Sequence, residues 1–214
     1  MIPDIHENIS KINVNGRVIN VILDLKLPRI VVFQNFLSDI ECENLIKLAK
    51  HRLTTSSTVD NVTGSTIPHP SRTSDGMFFQ RGENELVKKI ENRIATVINW
   101  PVESGEGLQI LRYQNGQRYL PHNDYFDPAH PGTKVLTSKG GNRVGTFILY
   151  LSTPEEGGAT FFPDADIRIS AIRGNALFFN YPIPTKETKT LHEGQPVING
   201  TKYIATKWLR EGNF

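Results

Sequence analysis

From about residue 107 onward, apolar residues recur at every second position in short runs, and this alternation constrains the fold more than any other feature. LQILRY (108–113), RYLPHNDY (118–125), GTFILYLS (145–152) and ATFFP (159–163) each read as a β-strand. So do IRISAI (167–172), ALFFNY (176–181), TKTLH (188–192) and TKYIATKWL (201–209). Gly157-Gly158, Arg173-Gly174-Asn175 and Asn199-Gly200 punctuate them. About eight short strands with Gly and Pro turns suit a double-sheet jelly roll or a closed barrel. One stretch breaks the rhythm. DPAHPGTKVLTSKGGN (127–142) is too long and too rich in Gly and Pro for a hairpin turn, so a mobile lid is expected there.

The first hundred residues read differently. Residues 11–23 predict a hairpin turning at Asn15-Gly16, and RIVVFQ (29–34) predicts a strand. Ser38 and Glu41 set out a capping box ahead of Ile40, Leu45, Ile46 and Leu48, so a helix should run to about His51. Leu86, Ile90, Ile94 and Val97 recur at helical spacing and predict a second helix over 84–98. Between them, 53–75 reads as a polar loop ending in Arg72-Thr73-Ser74.

Charge and cysteine content exclude several function classes. Lys plus Arg is 24 and Asp plus Glu is 22, so the +2 balance gives no bulk electrostatic reason for a nucleic-acid or membrane partner. One cysteine, Cys42, excludes an intrachain disulfide and a cysteine-built zinc or iron–sulfur site. The opening MIPDIHENISKINVNG lacks the basic and apolar blocks of a secretory signal, and no run approaches the ~20 apolar residues of a bilayer span. A cytoplasmic protein is expected.

The segment that carries chemistry is His122-Asn123-Asp124. In a strand, residues i and i+2 share a face, so an imidazole nitrogen and a carboxylate oxygen can meet one metal. His192, at the end of TKTLH, is the strongest candidate for a third ligand. Two histidines and one carboxylate make the facial triad of non-haem Fe(II) oxygenases. Taken alone, His-x-Asp also fits a surface ion pair. His6, His51, His69 and His130 fall in the N-terminal stretch, a helix end or loops, where solvation is expected. Lys202 follows His192 by ten residues, and Asn199-Gly200 reverses the chain between them, so antiparallel neighbouring strands are expected. Lys202, Ile204, Thr206 and Trp208 share one strand face. An inward lysine is costly unless an anion meets it, and a dicarboxylate cosubstrate would serve. A strand-end lysine snorkelling to water is the alternative.

LRYQNGQRYLPHNDYF, GNRVGTFILYLSTPEEGGATFFP, RGNALFFNY and LHEGQPVINGTKYIATKWLRE together resemble the prolyl 4-hydroxylase branch of the Fe(II)- and 2-oxoglutarate-dependent dioxygenases. RTSDGMFF (72–79) is similar to the segment upstream of that family's barrel, and the likeness spans roughly residues 30–211. It is nearest to the short bacterial and viral enzymes. The resemblance implies an α+β fold: a double-stranded β-helix (jelly-roll) core with N-terminal helices packed on one sheet. On that reading 1–214 is a single domain, with the hairpin, strand and helices in 1–105 and the catalytic core in 106–214.

The resemblance also implies roles. His122, Asp124 and His192 bind Fe(II). Lys202 pairs with the distal carboxylate of 2-oxoglutarate, Tyr113 hydrogen-bonds it, and Thr146 adds a third contact. Tyr119, Arg143 and Trp208 line the entrance for a proline-containing peptide or protein, with Arg143 placed to take a backbone carbonyl. The family couples decarboxylation of 2-oxoglutarate to succinate with hydroxylation by O2 of an unactivated C–H bond, and ascorbate serves as reductant. Aspartate in the triad, rather than a small residue, argues for hydroxylation over halogenation. The same chemistry on a free amino acid, a cupin-like metal-binding sensor and a nucleic-acid demethylase are the rival readings. The retained Lys202 speaks against the sensor, and the +2 charge against the demethylase. Edge strands and the apolar N-terminal hairpin leave room for a homodimer.

Overall fold

The computed structural model describes residues 2–7, 9–59, 63, 65–68 and 70–214. Asn15 and Gly16, at φ 51° and 81°, form the tight turn between β1 (Lys11–Val14) and β2 (Arg17–Leu25). A two-residue hairpin turn of this hand needs positive φ at both positions, which is why Asn-Gly is favoured. β3 (Ile30–Gln34) returns antiparallel to β2. Ser38 opens α1 (Asp39–Ala49): its hydroxyl accepts from the Glu41 N–H at 3.2 Å, and the Glu41 carboxylate accepts from the Ser38 N–H at 2.9 Å.

The span 53–75 is more than the expected polar loop. It contains β4 (Thr54–Thr55), β5 (Ser57–Val59) and β6 (Thr66–Pro68), the last two paired as a hairpin. Residues 60–62, 64 and 69, His69 among them, lie outside the described residues. β7 (Asp75–Phe79) follows, hidden from the alternation by Gly76. A Cβ there would come within 2.8 Å of Ser56 Oγ and 2.9 Å of Leu111, so close strand approach requires glycine. Asn84 caps α2 (Glu85–Val97) by accepting from the Val87 N–H at 3.0 Å.

The alternating half supplies β8 (Leu108–Tyr113), β9 (Tyr119–His122), β10 (Arg143–Tyr150), β11 (Glu156–Gly157), β12 (Thr160–Phe162) and β13 (Ile167–Ile169). It ends with β14 (Ala176–Asn180), β15 (His192–Gly194), β16 (Val197–Asn199) and β17 (Lys202–Arg210). Pairing is antiparallel. A nine-stranded sheet runs β1-β2-β3-β14-β10-β17-β8-β7-β4, and a four-stranded sheet runs β13-β12-β15-β9. The fold is thus mixed, mostly antiparallel strand with few helices. β3 and β14 are buried on both faces, which explains their near-continuous apolar runs. Val31, Phe33, Phe147, Phe178 and Ala205 share a core with Leu45, Ala49, Ile90 and Ile94 of the helices. The intervening residues Ile30, Val32, Ile148, Leu177 and Phe179 turn the other way and pack with Phe162 of the four-stranded sheet.

Four local outcomes differ from the sequence pattern. The strand expected over 118–125 stops at His122, so Asp124 lies on a bend beyond it. TKTLH is not a strand: residues Lys186–Thr188 form a 3-10 turn, and His192 opens β15 instead of closing a strand. β15 and β17 are not neighbours: β16, paired with β11 in a two-stranded sheet, follows β15, and the Asn199-Gly200 turn leads from it into the nine-stranded sheet. The 127–142 segment contains a one-turn helix, α3 (Thr133–Leu136), and its ends are tied together. The Asn142 carboxamide donates to Phe126 O at 2.7 Å and accepts from Phe126 N at 2.9 Å. Among the described residues no helix is long and apolar enough to cross a membrane.

Candidate active site

β9 and β15 pair so that His122 and His192 stand directly opposite each other, with ring centroids 4.3 Å apart. Each imidazole is oriented by its own chain. His122 Nδ1 donates to Leu120 O at 2.8 Å and His192 Nδ1 to Thr190 O at 3.0 Å. With the proton held on Nδ1, the Nε2 lone pair of each ring is free for a metal. Burial, with His122 alongside, lowers His192 to about 4, so it is neutral at neutral pH.

Asp124 completes the cluster although it has left the strand. Its Oδ1 is 3.5 Å from His122 Nε2 and its Oδ2 is 3.6 Å from His192 Nε2. These separations exceed good hydrogen bonds, and the three ligand atoms lie within 4.8 Å of one another. Burial alone would raise the Asp124 carboxyl; the imidazoles and Arg143 around it hold it well below the usual carboxylate range. Two pre-oriented imidazoles and a carboxylate fit a divalent iron.

On one side of this cluster lies Lys202, opposite Tyr113 in the β17–β8 register. Its side chain is 2 % exposed, and no acid lies within ion-pair distance among the described residues. Its nearest charge-stabilising contact is the Tyr113 ring, at 5.4 Å. Burial lowers Lys202 to about 8, which leaves it a cation at neutral pH. Thr160 lines the same cavity, its hydroxyl bonded to Tyr150 at 2.9 Å. A buried cation without a counter-ion fits a dicarboxylate cosubstrate. Ile204, Thr206 and Trp208 line this cavity with Lys202, as their shared strand face requires.

On the other side opens a cleft of about 1010 Å³, and Arg72, Tyr119, His122, Asp124 and Trp208 border both spaces. Tyr119 stacks on His122 at 3.6 Å and lies beneath the Arg72 guanidinium at 4.9 Å. Burial pushes the Tyr119 hydroxyl up to about 12. The Trp208 indole N–H and Arg72 Nε are buried and have no hydrogen-bond partner among the described residues.

Two expected roles change. Thr146 does not reach the Lys202 end. It pairs across the sheet with Trp208, six residues along β17 from Lys202, or about 20 Å at a strand's rise. Its hydroxyl instead donates to Asp124 Oδ2 at 2.6 Å. Arg143 is not free to take a substrate carbonyl. Its Nε and Nη2 hold the Glu106 carboxylate at 2.6 and 2.9 Å, and its Nη1 reaches Asp124 O at 3.3 Å. Arg210 Nε bonds Glu106 from the other side at 2.8 Å. Burial would raise Glu106, yet the two guanidiniums hold it below its ordinary range. Glu106, Thr160 and Tyr181 were invisible to sequence reasoning, since each stands alone in its segment and matters only through partners on other strands.

A family profile described as the 2OG-Fe(II) oxygenase superfamily matches residues 108–210. The fold and the site thus define a 2-oxoglutarate-dependent dioxygenase, with Fe(II) as metal and 2-oxoglutarate as cosubstrate. The chain is 40 % identical over 208 residues to "Probable prolyl 4-hydroxylase 3" of Arabidopsis thaliana, covering 87 % of this chain and 71 % of that one. It is 41 % identical to Arabidopsis "Prolyl 4-hydroxylase 5" over 208 residues, 87 % and 70 % of the two chains. The viral collagen prolyl hydroxylase vCPH of Paramecium Bursaria Chlorella virus-1, solved with 2OG, superposes with TM-score 0.64 at 31 % identity. That match covers 85 % of this chain and 95 % of the viral one. The chain belongs to the prolyl 4-hydroxylase family.

Proposed function

We propose that the protein hydroxylates prolyl residues in a peptide or protein, yielding 4-hydroxyproline, succinate and carbon dioxide. One observation carries the reading: the His122–Asp124–His192 cluster sits between a small cavity that holds a buried cation and a wide cleft with aromatic residues in its lining. His122 Nε2, His192 Nε2 and Asp124 would hold Fe(II). When bound, metal and cosubstrate supply dioxygen activation and oxidation of an unactivated C–H bond. Lys202 and Tyr113 hold the distal carboxylate and so orient the cosubstrate's other end toward the cluster. Tyr119 and Trp208 line the cleft that would take the proline, and Arg143 frames the entrance through Glu106. Ascorbate keeps the iron reduced.

The cleft supports a peptide over a free amino acid. Its volume reaches the upper end of drug-sized pockets, far beyond one proline. A polyproline II chain suits it, having no internal hydrogen bonds to break. The 127–142 segment, tied at Phe126 and Asn142, closes over that chain as a unit. The same reading takes residues 1–214 as one domain with a double-stranded β-helix core and the helices on one sheet. A cytoplasmic setting belongs to it too, resting on the single buried thiol, Cys42.

The test compares a proline-rich peptide with free proline, each with Fe(II), 2-oxoglutarate and ascorbate. A +16 Da peptide and matching succinate are expected, with free proline unchanged. His192→Ala and Asp124→Ala should abolish both products in folded protein. Efficient turnover of free proline with the peptide inert would overturn the substrate class.

A further inference from the structure

We propose that Thr146 and Tyr181 are positioning residues: a two-hydroxyl relay that sets the Asp124 carboxylate for the metal. The proposal rests on the triad reading and deepens it.

Asp124 needs such a device because it lies beyond the end of β9. No ladder partner fixes its backbone, and a bend residue does not inherit the alternation that aims His122. Among the described residues one hydroxyl is bonded to its side chain, that of Thr146, at 2.6 Å on Oδ2. A threonine hydroxyl carries one proton, and an ionised carboxylate can only accept. That proton therefore belongs to Asp124. The Thr146 oxygen is also 2.7 Å from the Tyr181 hydroxyl, and it has only lone pairs left to offer there. Tyr181 must donate. The order of protons is thus determined without any titration: Tyr181 to Thr146 to Asp124.

Both hydroxyls stand on rigid ground. Thr146 is completely buried in the middle of β10, flanked by Phe179 and Trp208 on the adjoining strands, and its branched Cβ restricts χ1. Tyr181 is 1 % exposed, packs its ring on Tyr125 and Phe179, and donates its backbone N–H to Val144 O at 3.0 Å. Burial raises the Tyr181 phenol well above its ordinary value, so it keeps the proton it must donate. Because the hydroxyl occupies Oδ2, Oδ1 is the oxygen left without a hydroxyl partner, on the His122 side. Oδ1 thus keeps both lone pairs for a metal, while one of those on Oδ2 is engaged by the hydroxyl.

The test measures Co(II) affinity and the Co(II) d–d absorption spectrum, neither of which needs turnover. Asp124→Ala goes first. Wild-type affinity in that variant would sink the triad reading and the relay with it; loss of affinity establishes the triad. Thr146→Val, which keeps the shape and removes the hydroxyl, should then weaken Co(II) binding about 10–100-fold and change the spectrum, as loss of outer contacts does at metal sites. Thr146→Ser should restore both. Tyr181→Phe should cost less, about two- to tenfold, as one neutral hydrogen bond does. Since the relay runs in series, Thr146→Val with Tyr181→Phe should be no worse than Thr146→Val alone. The double variant also removes the Tyr181 hydroxyl that Thr146→Val would strand, so it guards against misfolding. Wild-type affinity and spectrum in Thr146→Val, alongside loss in Asp124→Ala, would overturn the relay.

Discussion

Lys202, buried, and Arg143, partly buried, are cations on adjacent strands, β17 and β10, and their surroundings are opposite. Arg143 is forked onto Glu106, shares that acid with Arg210, and lies 4.0 Å over the Trp208 ring. Every part of its charge meets protein. Among the described residues Lys202 meets no acid within ion-pair distance, and it faces the Tyr113 ring. Burial accordingly lowers Lys202, whereas Glu106 more than offsets burial at Arg143 and raises it. A desolvated charge without a partner weakens the fold, and a chain keeps one where a ligand supplies the partner. The paired cation belongs to the frame of the entrance; the unpaired one waits for an anion.

Removing the frame's anion should have the largest effect. Glu106→Gln leaves the buried Arg210 and the partly buried Arg143 guanidiniums uncompensated and should cost about 3–5 kcal/mol in equilibrium denaturation. Lys202→Met in the same experiment should be neutral or stabilising. A cost under about 1 kcal/mol for Glu106→Gln would break the contrast.

Cosubstrate binding should sharpen it from the other end. Lys202→Ala should weaken 2-oxoglutarate binding by about 2–5 kcal/mol, because the carboxylate loses its buried partner. An unchanged titration would mean that another cation holds that carboxylate, with Arg72, which lines the same cavity, the first to examine.

The pH dependence of stability follows from the same burial. The folded-state value of Lys202 is about 8, below its ordinary 10.5. Between these values the unfolded chain binds more protons, so stability rises with pH. In protein without cosubstrate, Lys202 should add about 3 kcal/mol across that window, and below it the penalty is constant. The difference between wild type and Lys202→Met at pH 8 and pH 10 isolates this contribution. Parallel curves for the two proteins would show that the lysine is not desolvated.

The smallest effect is expected beside it. Tyr113→Phe should weaken 2-oxoglutarate binding by about 0.5–3 kcal/mol, the worth of a hydrogen bond to a charged group. An effect equal to that of Lys202→Ala would mean that the tyrosine positions the lysine rather than the ligand.

Much of this protein could be read locally. The capping box at Ser38 and Glu41, the Asn15-Gly16 turn and β8 at Leu108–Tyr113 formed where the sequence placed them. Each depends on residues a few positions apart, whose backbone angles and hydrogen bonds are set by their own side chains. The meeting of His122, Asp124 and His192 and the burial of Lys202 were also legible, because such residue types have few other reasons to interrupt an apolar alternation. What they do to each other was not. Lys202 reaches the cavity from the larger sheet and His192 from the smaller, although the turn between them suggested a hairpin. Thr146 turned from the cosubstrate to Asp124, and Arg143 from the substrate to Glu106, 37 residues away. β7 hid behind a glycine that only the closeness of Ser56 and Leu111 explains. The sequence by itself determined the strand periods, the caps and the chemical types at the site. Tertiary structure alone decided which buried charge found a partner, because a partner is set by strand register and by the facing of two sheets, and no local pattern encodes either.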